Sequence, residues 1–246
     1  MKRFFIEHSE IIKDFPVIAG QEAQHITKVF RLKPRDSILL IDGTGIEYDA
    51  EIIGVSKAGV SVTILDQHAT NTESPVQIAV GEGYLKDKKM DMLVRHLTEI
   101  GITQWIPVLS EHSVPQPDTK KTDPRIQRWE AIAIEASKQC RRTRMPEILA
   151  PIRFSRAMEE ITGFDLKIIF YENETAALGQ TLVPARERPS KIFVLLGPEG
   201  GFSHHEIVQA KSCGYVPASL GPRILRAETA SISACALIQH LFGDMR

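Results

Sequence analysis

The sequence lacks the features that mark exported, membrane-spanning or zinc-binding proteins. Its 246 residues include three cysteines, Cys140, Cys213 and Cys235, which lie far apart without the spacing of a disulfide framework or a zinc site. No run approaches the roughly 20 apolar residues that span a bilayer. The first residues contain no apolar signal segment. These absences predict a cytoplasmic protein, with neither a membrane nor a metal ion as a partner.

The sequence also lacks an excess of positive charge. Lysine and arginine total 30 against 31 aspartate and glutamate, a formal net charge of -1. A basic average would indicate a nucleic-acid partner, and this average does not. The cations nevertheless gather in two short segments, Lys28, Arg31, Lys33 and Arg35 in one and Lys138, Arg141, Arg142 and Arg144 in the other. Such clusters either bind phosphates or form a solvated surface, and both interpretations stay open.

The segment 191–231 contains two glycine-proline loops but neither common nucleotide-binding fingerprint. The loops, GPEGG at 197–201 and GPR at 221–223, each follow a short apolar run that predicts a buried strand. Their glycine spacing matches neither G-x-G-x-x-G nor G-x-x-x-x-G-K-[ST]. In an α/β sheet such loops emerge together at the carboxyl ends of the strands, where ligands bind. We expect a ligand held by main-chain groups, the alternative being two purely structural turns.

Two domains joined by a short linker are predicted. Residues 1–70 consist mostly of strands, because apolar and polar residues alternate over 46–52 and 60–64, and such strands suit a small antiparallel barrel. The polar segment 71–75 is broken by a proline and predicts the linker. From 76 to 246, strands alternate with helices. This rhythm predicts an α/β domain whose parallel sheet is covered on both faces.

The two loops resemble those of a known family. GPEGGF at 197–202, followed by SLGPRILRAETA at 219–230, is similar to the cofactor loops of the SPOUT methyltransferases, specifically the ribosomal RNA small subunit methyltransferase E family. Shorter similar motifs run along the chain: RFF at 3–5, VFRL at 29–32, TEIGI at 98–102, EASKQC at 135–140 and RMPEI at 144–148. Phe30 and His112 depart from the family pattern, which has Leu and Arg there.

The resemblance implies a fold, a reaction and partners. The implied fold is α/β, with a C-terminal SPOUT domain that has a parallel sheet and a deep trefoil knot, and an N-terminal PUA-like β-barrel that binds RNA. The implied reaction is S-adenosylmethionine-dependent methylation of N3 of a uridine in 16S ribosomal RNA, on the assembled 30S subunit, as part of rRNA processing. The implied assembly is a homodimer formed through the C-terminal domain.

Three loops are predicted to hold the cofactor, because backbone groups and small residues suit a close grip. They are 171–175, 196–201 and 220–225, with apolar walls for adenine expected at Leu196, Leu220, Ile224 and Leu225. The full predicted set is Tyr171, Glu172, Leu196, Gly197, Pro198, Gly201, Leu220, Gly221, Ile224, Leu225, Thr229 and Ala230.

Methylation of uridine N3 requires that N3 lose its proton. A base that accepts the proton, or a cation that stabilises the resulting anion, is therefore expected near the second loop. Arg226 is predicted to stabilise the uracil anion or a phosphate, and Glu228 to accept the proton. Glu228 has an equally good structural role as an acid in the first turn of a helix. Glu199 is the next candidate. His204 and His205 are weaker ones, because helix N-termini commonly carry polar residues.

Contacts with RNA are expected from cations of both domains. N3 lies on the Watson–Crick edge, so the target base must be unpaired or flipped out. The predicted RNA-binding residues are Arg3, His25, Arg31, Lys138, Arg141, Arg142 and Arg144.

The sequence leaves three alternatives open. A SPOUT enzyme acting on transfer RNA or 23S rRNA would keep the fold and change the target. A non-catalytic RNA-binding assembly factor would not need the glycine-proline loops. A Rossmann-type nucleotide enzyme would need a fingerprint that the loop at 81–86 does not contain.

Overall fold

The computed structural model describes residues 1–70, 72–114, 122–174 and 188–245. The chain divides into two compact units, Met1–Glu73 with Ser137–Met145 and Ser74–Ala136 with Pro146–Arg246. The boundary falls inside the predicted linker 71–75, of which Asn71 lies outside the described residues. The short segment 137–145, which the sequence placed in the second domain, belongs to the first unit.

The first unit is built on a five-stranded sheet in the order β1-β3-β4-β5-β2. Its elements are β1 (Lys2–Phe5), α1 (His8–Ile11), β2 (Val17–Ile18), α2 (Gly20–Gln24), a π-helical turn (His25–Val29), β3 (Ser37–Ile41), β4 (Ile46–Val55) and β5 (Val60–Ala69). The predicted alternation produces β4 and β5, which pair antiparallel and bury Ile52 and Val62.

The antiparallel pairing expected in the first domain does not extend to β1. This strand pairs with β3 in parallel. A parallel pair needs a long crossover connection, and the residues between β1 and β3 supply one with α1, β2, α2 and the π-helical turn. Among the described residues the pairings run as an open path from β1 to β2.

The second unit contains a seven-stranded sheet in the order β12-β10-β11-β6-β7-β8, with β9 also beside β7. Its strands are β6 (Gln77–Gly83), β7 (Gln104–Leu109), β8 (Glu147–Ile148), β9 (Ile152–Arg153), β10 (Leu166–Phe170), β11 (Lys191–Leu196) and β12 (Val216–Ala218). Its helices are α3 (Asp87–Ile100), α5 (Phe154–Glu160), α6 (His204–Ser212), α7 (Ala227–Phe242) and most of α4 (Thr122–Cys140), whose last four residues belong to the first unit. Every strand pairing is parallel among the described residues of this unit, as predicted.

Strand β11 shows how the sheet is covered on both faces. Successive side chains of a strand point to opposite faces. Ile192 and Val194 pack into one core with α3 and α7, whereas Phe193 and Leu195 pack into the other with α5 and α6. In the described part of the chain, no helix is long and apolar enough to cross a membrane.

Candidate functional site

Three predicted loops follow three adjacent strands. Strands β12, β10 and β11 are neighbours in that order and run parallel, so their carboxyl ends share one edge of the sheet. The segments 171–174, 197–201 and 219–225 leave from this edge. The backbone N–H of Tyr171 donates to Ala218 O at 3.1 Å, which ties the first segment to the end of β12. Thr175, part of the predicted first loop, lies outside the described residues.

The loop 197–201 rests directly on the end of β6. A Cβ on Gly83 would lie 2.2 Å from the backbone nitrogen of Pro198, so only glycine permits this approach. Gly201 has a φ of +68°, and a Cβ there would lie 2.6 Å from Glu172 Oε1. Two of the predicted loops are therefore in contact at Gly201 and Glu172. Gly83 was not among the predicted site residues, although the Gly81-Glu82-Gly83 run was a visible signal.

The loop 219–225 is open. Gly221 has a φ of +106°, and a Cβ on this residue would meet no atom within 4 Å. The N–H of Gly221 donates to Ser219 Oγ at 3.2 Å. Ile224 is 87% exposed. Leu220 and Leu225 are half-buried, so each keeps apolar surface available to a ligand.

Leu196 differs from the other apolar residues of the predicted walls. Its side chain is only 1% exposed and belongs to the core on the α3 face of the sheet. We therefore expect Leu196 to offer a ligand its backbone rather than its side chain. Of the predicted helical residues, Thr229 is exposed and Ala230 half-buried in the first turn of α7.

Two candidate catalytic carboxylates meet at one lysine that the sequence did not single out. Lys89, in the first turn of α3, lies 3.0 Å from Glu228 Oε2 and 3.1 Å from Glu199 Oε1. Burial favours a higher pKa for Glu228, but its own backbone N–H, Lys89 and Arg226 outweigh burial and lower the pKa below its ordinary value. Hydrogen bonding to Glu228 raises the pKa of Lys89. Arg226 is exposed at the N-cap of α7.

Glu82 is a buried carboxyl group at the end of β6. It is 0% exposed, and neither oxygen has a hydrogen-bond partner among the described residues. Burial raises its pKa well above the ordinary value, the nearby Ser231 hydroxyl opposes the shift, and Glu228 and Glu199 add to it. Burial therefore favours the uncharged form of Glu82. Neither Glu82 nor Lys89 was among the predicted site residues. For Glu82 the sequence offered one signal, an acidic residue within an apolar run.

The predicted RNA-binding cations fall into two groups, all within the first unit. Arg31, Arg141 and Arg144 are exposed, and His25 is half-buried. The other three are engaged in ion pairs: Arg3 with Glu47, Lys138 with Glu22 at 2.5 Å, and Arg142 with Glu73 at 2.8 Å. Arg142 is only 3% exposed, so its guanidinium serves the unit's own structure.

Comparisons with known proteins match this architecture. Residues 72–239 match the family model for an RNA methyltransferase domain, and residues 18–65 match the model for an RNA methyltransferase PUA domain. The ribosomal RNA small subunit methyltransferase E of Buchnera aphidicola (subspecies Acyrthosiphon pisum) is 32% identical over 99% of this chain and 95% of its own length. That of Bacillus subtilis is 31% identical over 98% of this chain and 96% of its own length.

A solved structure of the same family also matches the whole chain. The ribosomal RNA small subunit methyltransferase E of Neisseria gonorrhoeae, bound to S-adenosyl methionine, is 30% identical, covers 100% of both chains and superposes with a TM-score of 0.89. The resemblance of the two glycine-proline motifs is thus confirmed over the whole chain. The chain belongs to the ribosomal RNA small subunit methyltransferase E family, SPOUT-type RNA methyltransferases with a PUA-like N-terminal domain.

Proposed function

We propose that this protein transfers a methyl group from S-adenosylmethionine to N3 of a specific uridine in 16S rRNA. The proposed substrate is the assembled 30S subunit, and the proposed location is the cytoplasm. The observation that carries the proposal is the convergence of three loops at one sheet edge, where glycines keep the backbone accessible beside Arg226, Glu228 and Glu199. The small-subunit names of the relatives and the cofactor bound to the Neisseria protein support it.

The loop residues fit a flat ligand with polar edges. Gly201 and Gly221 have positive φ values that bring backbone groups to the surface, and Leu220, Ile224 and Leu225 supply apolar contact. S-adenosylmethionine would supply an activated methyl group at this place. The proposed holding residues are Tyr171, Glu172, Leu196, Gly197, Pro198, Gly201, Leu220, Gly221, Ile224, Leu225, Thr229 and Ala230.

The acceptor must lose the proton on N3. Glu228 is a carboxylate at neutral pH, because its pKa is lowered, and we assign it the role of proton acceptor. Arg226 stabilises the negative charge that develops on the uracil ring. Glu199 is the alternative acceptor. Arg31, Arg141 and Arg144 hold RNA phosphates, whereas the ion-paired Arg3, Lys138 and Arg142, with His25, have a smaller share in binding.

The proposal includes a homodimer and a trefoil knot in the second unit. Leu237 on α7 is 42% exposed, and Ile224 projects from the loop before that helix. Apolar side chains in these positions suit a partner subunit. Sedimentation of the purified protein tests the dimer, and a monomer at micromolar concentration would contradict it.

Transfer of labelled methyl groups to 30S particles, naked 16S rRNA and transfer RNA tests the function. We expect label on the 30S particles, recovered as 3-methyluridine. Arg226→Ala and Glu228→Gln should each lower the rate about 100-fold. Label found only on transfer RNA would favour another SPOUT target. Absence of label from all three RNAs would favour a non-catalytic RNA-binding factor.

A further inference from the structure

Lys89 connects three segments that surround the proposed site. It lies in the first turn of α3, Glu199 lies in the loop after β11, and Glu228 lies in the first turn of α7. The ammonium is within 3.1 Å of a carboxylate oxygen of both acids. A single cation therefore joins the loop 197–201 to the helix that follows the second loop.

The bridge offsets a repulsion between like charges. Glu199 and Glu228 contact the same ammonium, and both lie near enough to Glu82 to raise its pKa. Two carboxylates sharing one site repel each other unless a cation lies between them. In the part of the chain that the structure describes, the charged or titratable groups that face Glu228 are Lys89 from α3, Glu199 from the loop after β11, Glu82 from β6 and Arg226 from its own segment.

We propose that Lys89 is a positioning residue for methyl transfer, whose ammonium holds the carboxylates of Glu199 and Glu228 together at the edge of the sheet. Its link to catalysis rests on the proposed function, whereas the ion pairs themselves do not. By holding Glu228 in place and in its ionised form, Lys89 sets both the geometry and the pH range of proton acceptance. It acts through Glu228 and need not touch the substrate.

Three variants separate this role from a general loss of charge. Lys89→Met removes the bridge, Lys89→Arg keeps a cation that spans two carboxylates, and Lys88→Met removes the same charge from the exposed neighbouring position. We expect Lys89→Met to lower kcat roughly tenfold while the Kd for S-adenosylmethionine changes about twofold or less. Lys89→Arg should recover most of the rate, and Lys88→Met should match the wild type.

The pH dependence gives a second readout. A base whose pKa is lowered loses activity only when the pH falls through that lowered value. Without Lys89 the pKa of Glu228 rises, so the acid limb of the kcat profile should move to higher pH in Lys89→Met. Titration of ¹³C-labelled glutamate by NMR, with Glu228→Gln for assignment, measures the same shift without any turnover.

Two results would overturn the inference. One is a kcat and an acid limb in Lys89→Met equal to those of Lys88→Met. The other is an unchanged NMR titration of Glu228, whatever the activity. A wild-type protein that transfers no methyl group contradicts the proposed function instead. The titration then still decides whether Lys89 controls the ionisation of Glu228.

Discussion

Glu82 is a fully buried acid, and its ionisation makes its contribution to stability depend on pH. Its pKa is raised in the folded state. In the unfolded chain Glu82 therefore ionises first, as the pH rises past the ordinary glutamate pKa of about 4.3. Between the unfolded and the folded pKa, the free energy of unfolding falls by about 1.4 kcal/mol per pH unit. Above the folded pKa the loss is complete and constant.

Glu82→Gln should remove this pH-dependent loss, because glutamine does not titrate. We expect urea unfolding to show a stability difference in favour of Glu82→Gln that grows from pH 5 to pH 8. The exposed Glu159→Gln is the matched control and should follow the wild type. A difference independent of pH would mean that Glu82 is ionised in the folded protein.

Gly83 has no room for a side chain. A Cβ would lie 2.2 Å from Pro198 N and 2.6 Å from the carbonyl carbon of Gly197, both backbone atoms that cannot rotate away. Gly83→Ala should displace the loop 197–201, which amide hydrogen exchange would report as faster exchange in that loop. Gly54→Ala, where nothing lies within 4 Å, is the control. Equal protection of the loop in both variants would contradict the close packing.

Single residues were predictable where a local motif constrains them. Gly201 and Gly221 stood out because each lies in a short loop that combines glycine with proline, and both have positive φ values. Lys89 and Glu82 did not stand out. Lys89 looks like any polar position on an amphipathic helix, and its partners come from distant segments. Only the fold brings Lys89 to Glu199 and Glu228.

Helix α6 begins with the capping box that the spacing of Ser203 and Glu206 predicted. Ser203 Oγ accepts from Glu206 N at 3.3 Å, and Glu206 Oε2 accepts from Ser203 N at 2.9 Å. Glu206 Oε1 also accepts from the backbone N–H of Glu111 at 2.9 Å. The buried carboxylate thus holds a second segment besides the helix start, which the local sequence could not reveal.

Truncation of the two capping residues should therefore have unequal effects. Ser203→Ala removes one acceptor and should cost about 1 kcal/mol of unfolding free energy. Glu206→Ala leaves two backbone N–H groups without a partner and should cost about 2 to 3 kcal/mol. The exposed His205→Ala should stay within about 0.5 kcal/mol of the wild type. Equal losses in chemical denaturation would show that the bond to Glu111 contributes nothing.

At the same scale, the periodicity predicted most strands and helices but not all pairings. Alternation identifies β4 and β5, and a stripe including Met90, Leu93 and Leu97 identifies α3, which ends at Gly101 with a φ of +101°. The parallel pairing of β1 with β3 was missed. Whether two strands pair parallel or antiparallel depends on the path of the connection between them. The periodicity of the strands contains no information about that path.

At the scale of the whole molecule, the change in sequence pattern near residue 75 predicted two domains. It did not predict that the segment 137–145 belongs to the first unit. That segment is held by the bond from Gly45 N to Thr143 O at 3.1 Å and by the ion pair of Arg142 with Glu73. A charge cluster in the sequence does not reveal which of its members are buried. In this unit Arg142 is buried, whereas Arg141 and Arg144 are exposed.

Arg141 and Arg142 should therefore respond differently to alanine substitution. Arg141→Ala should weaken RNA binding and reduce the slope of log affinity against log salt by about 1, with unchanged stability. Arg142→Ala should lower the unfolding free energy by about 3 kcal/mol, because it removes a buried guanidinium and leaves the half-buried Glu73 without its cation. Filter binding at several salt concentrations and urea unfolding measure both. Identical behaviour of the two variants would contradict this division.

Calorimetry with S-adenosylmethionine tests most directly whether the glycine-proline loops hold the cofactor. Gly201→Val is the decisive variant, because the position has a φ of +68° and a Cβ would approach Glu172 to 2.6 Å. We expect binding by the wild type and by Gly54→Ala, and at least about tenfold weaker binding by Gly201→Val in a protein that remains folded. Unchanged affinity in Gly201→Val would contradict the account.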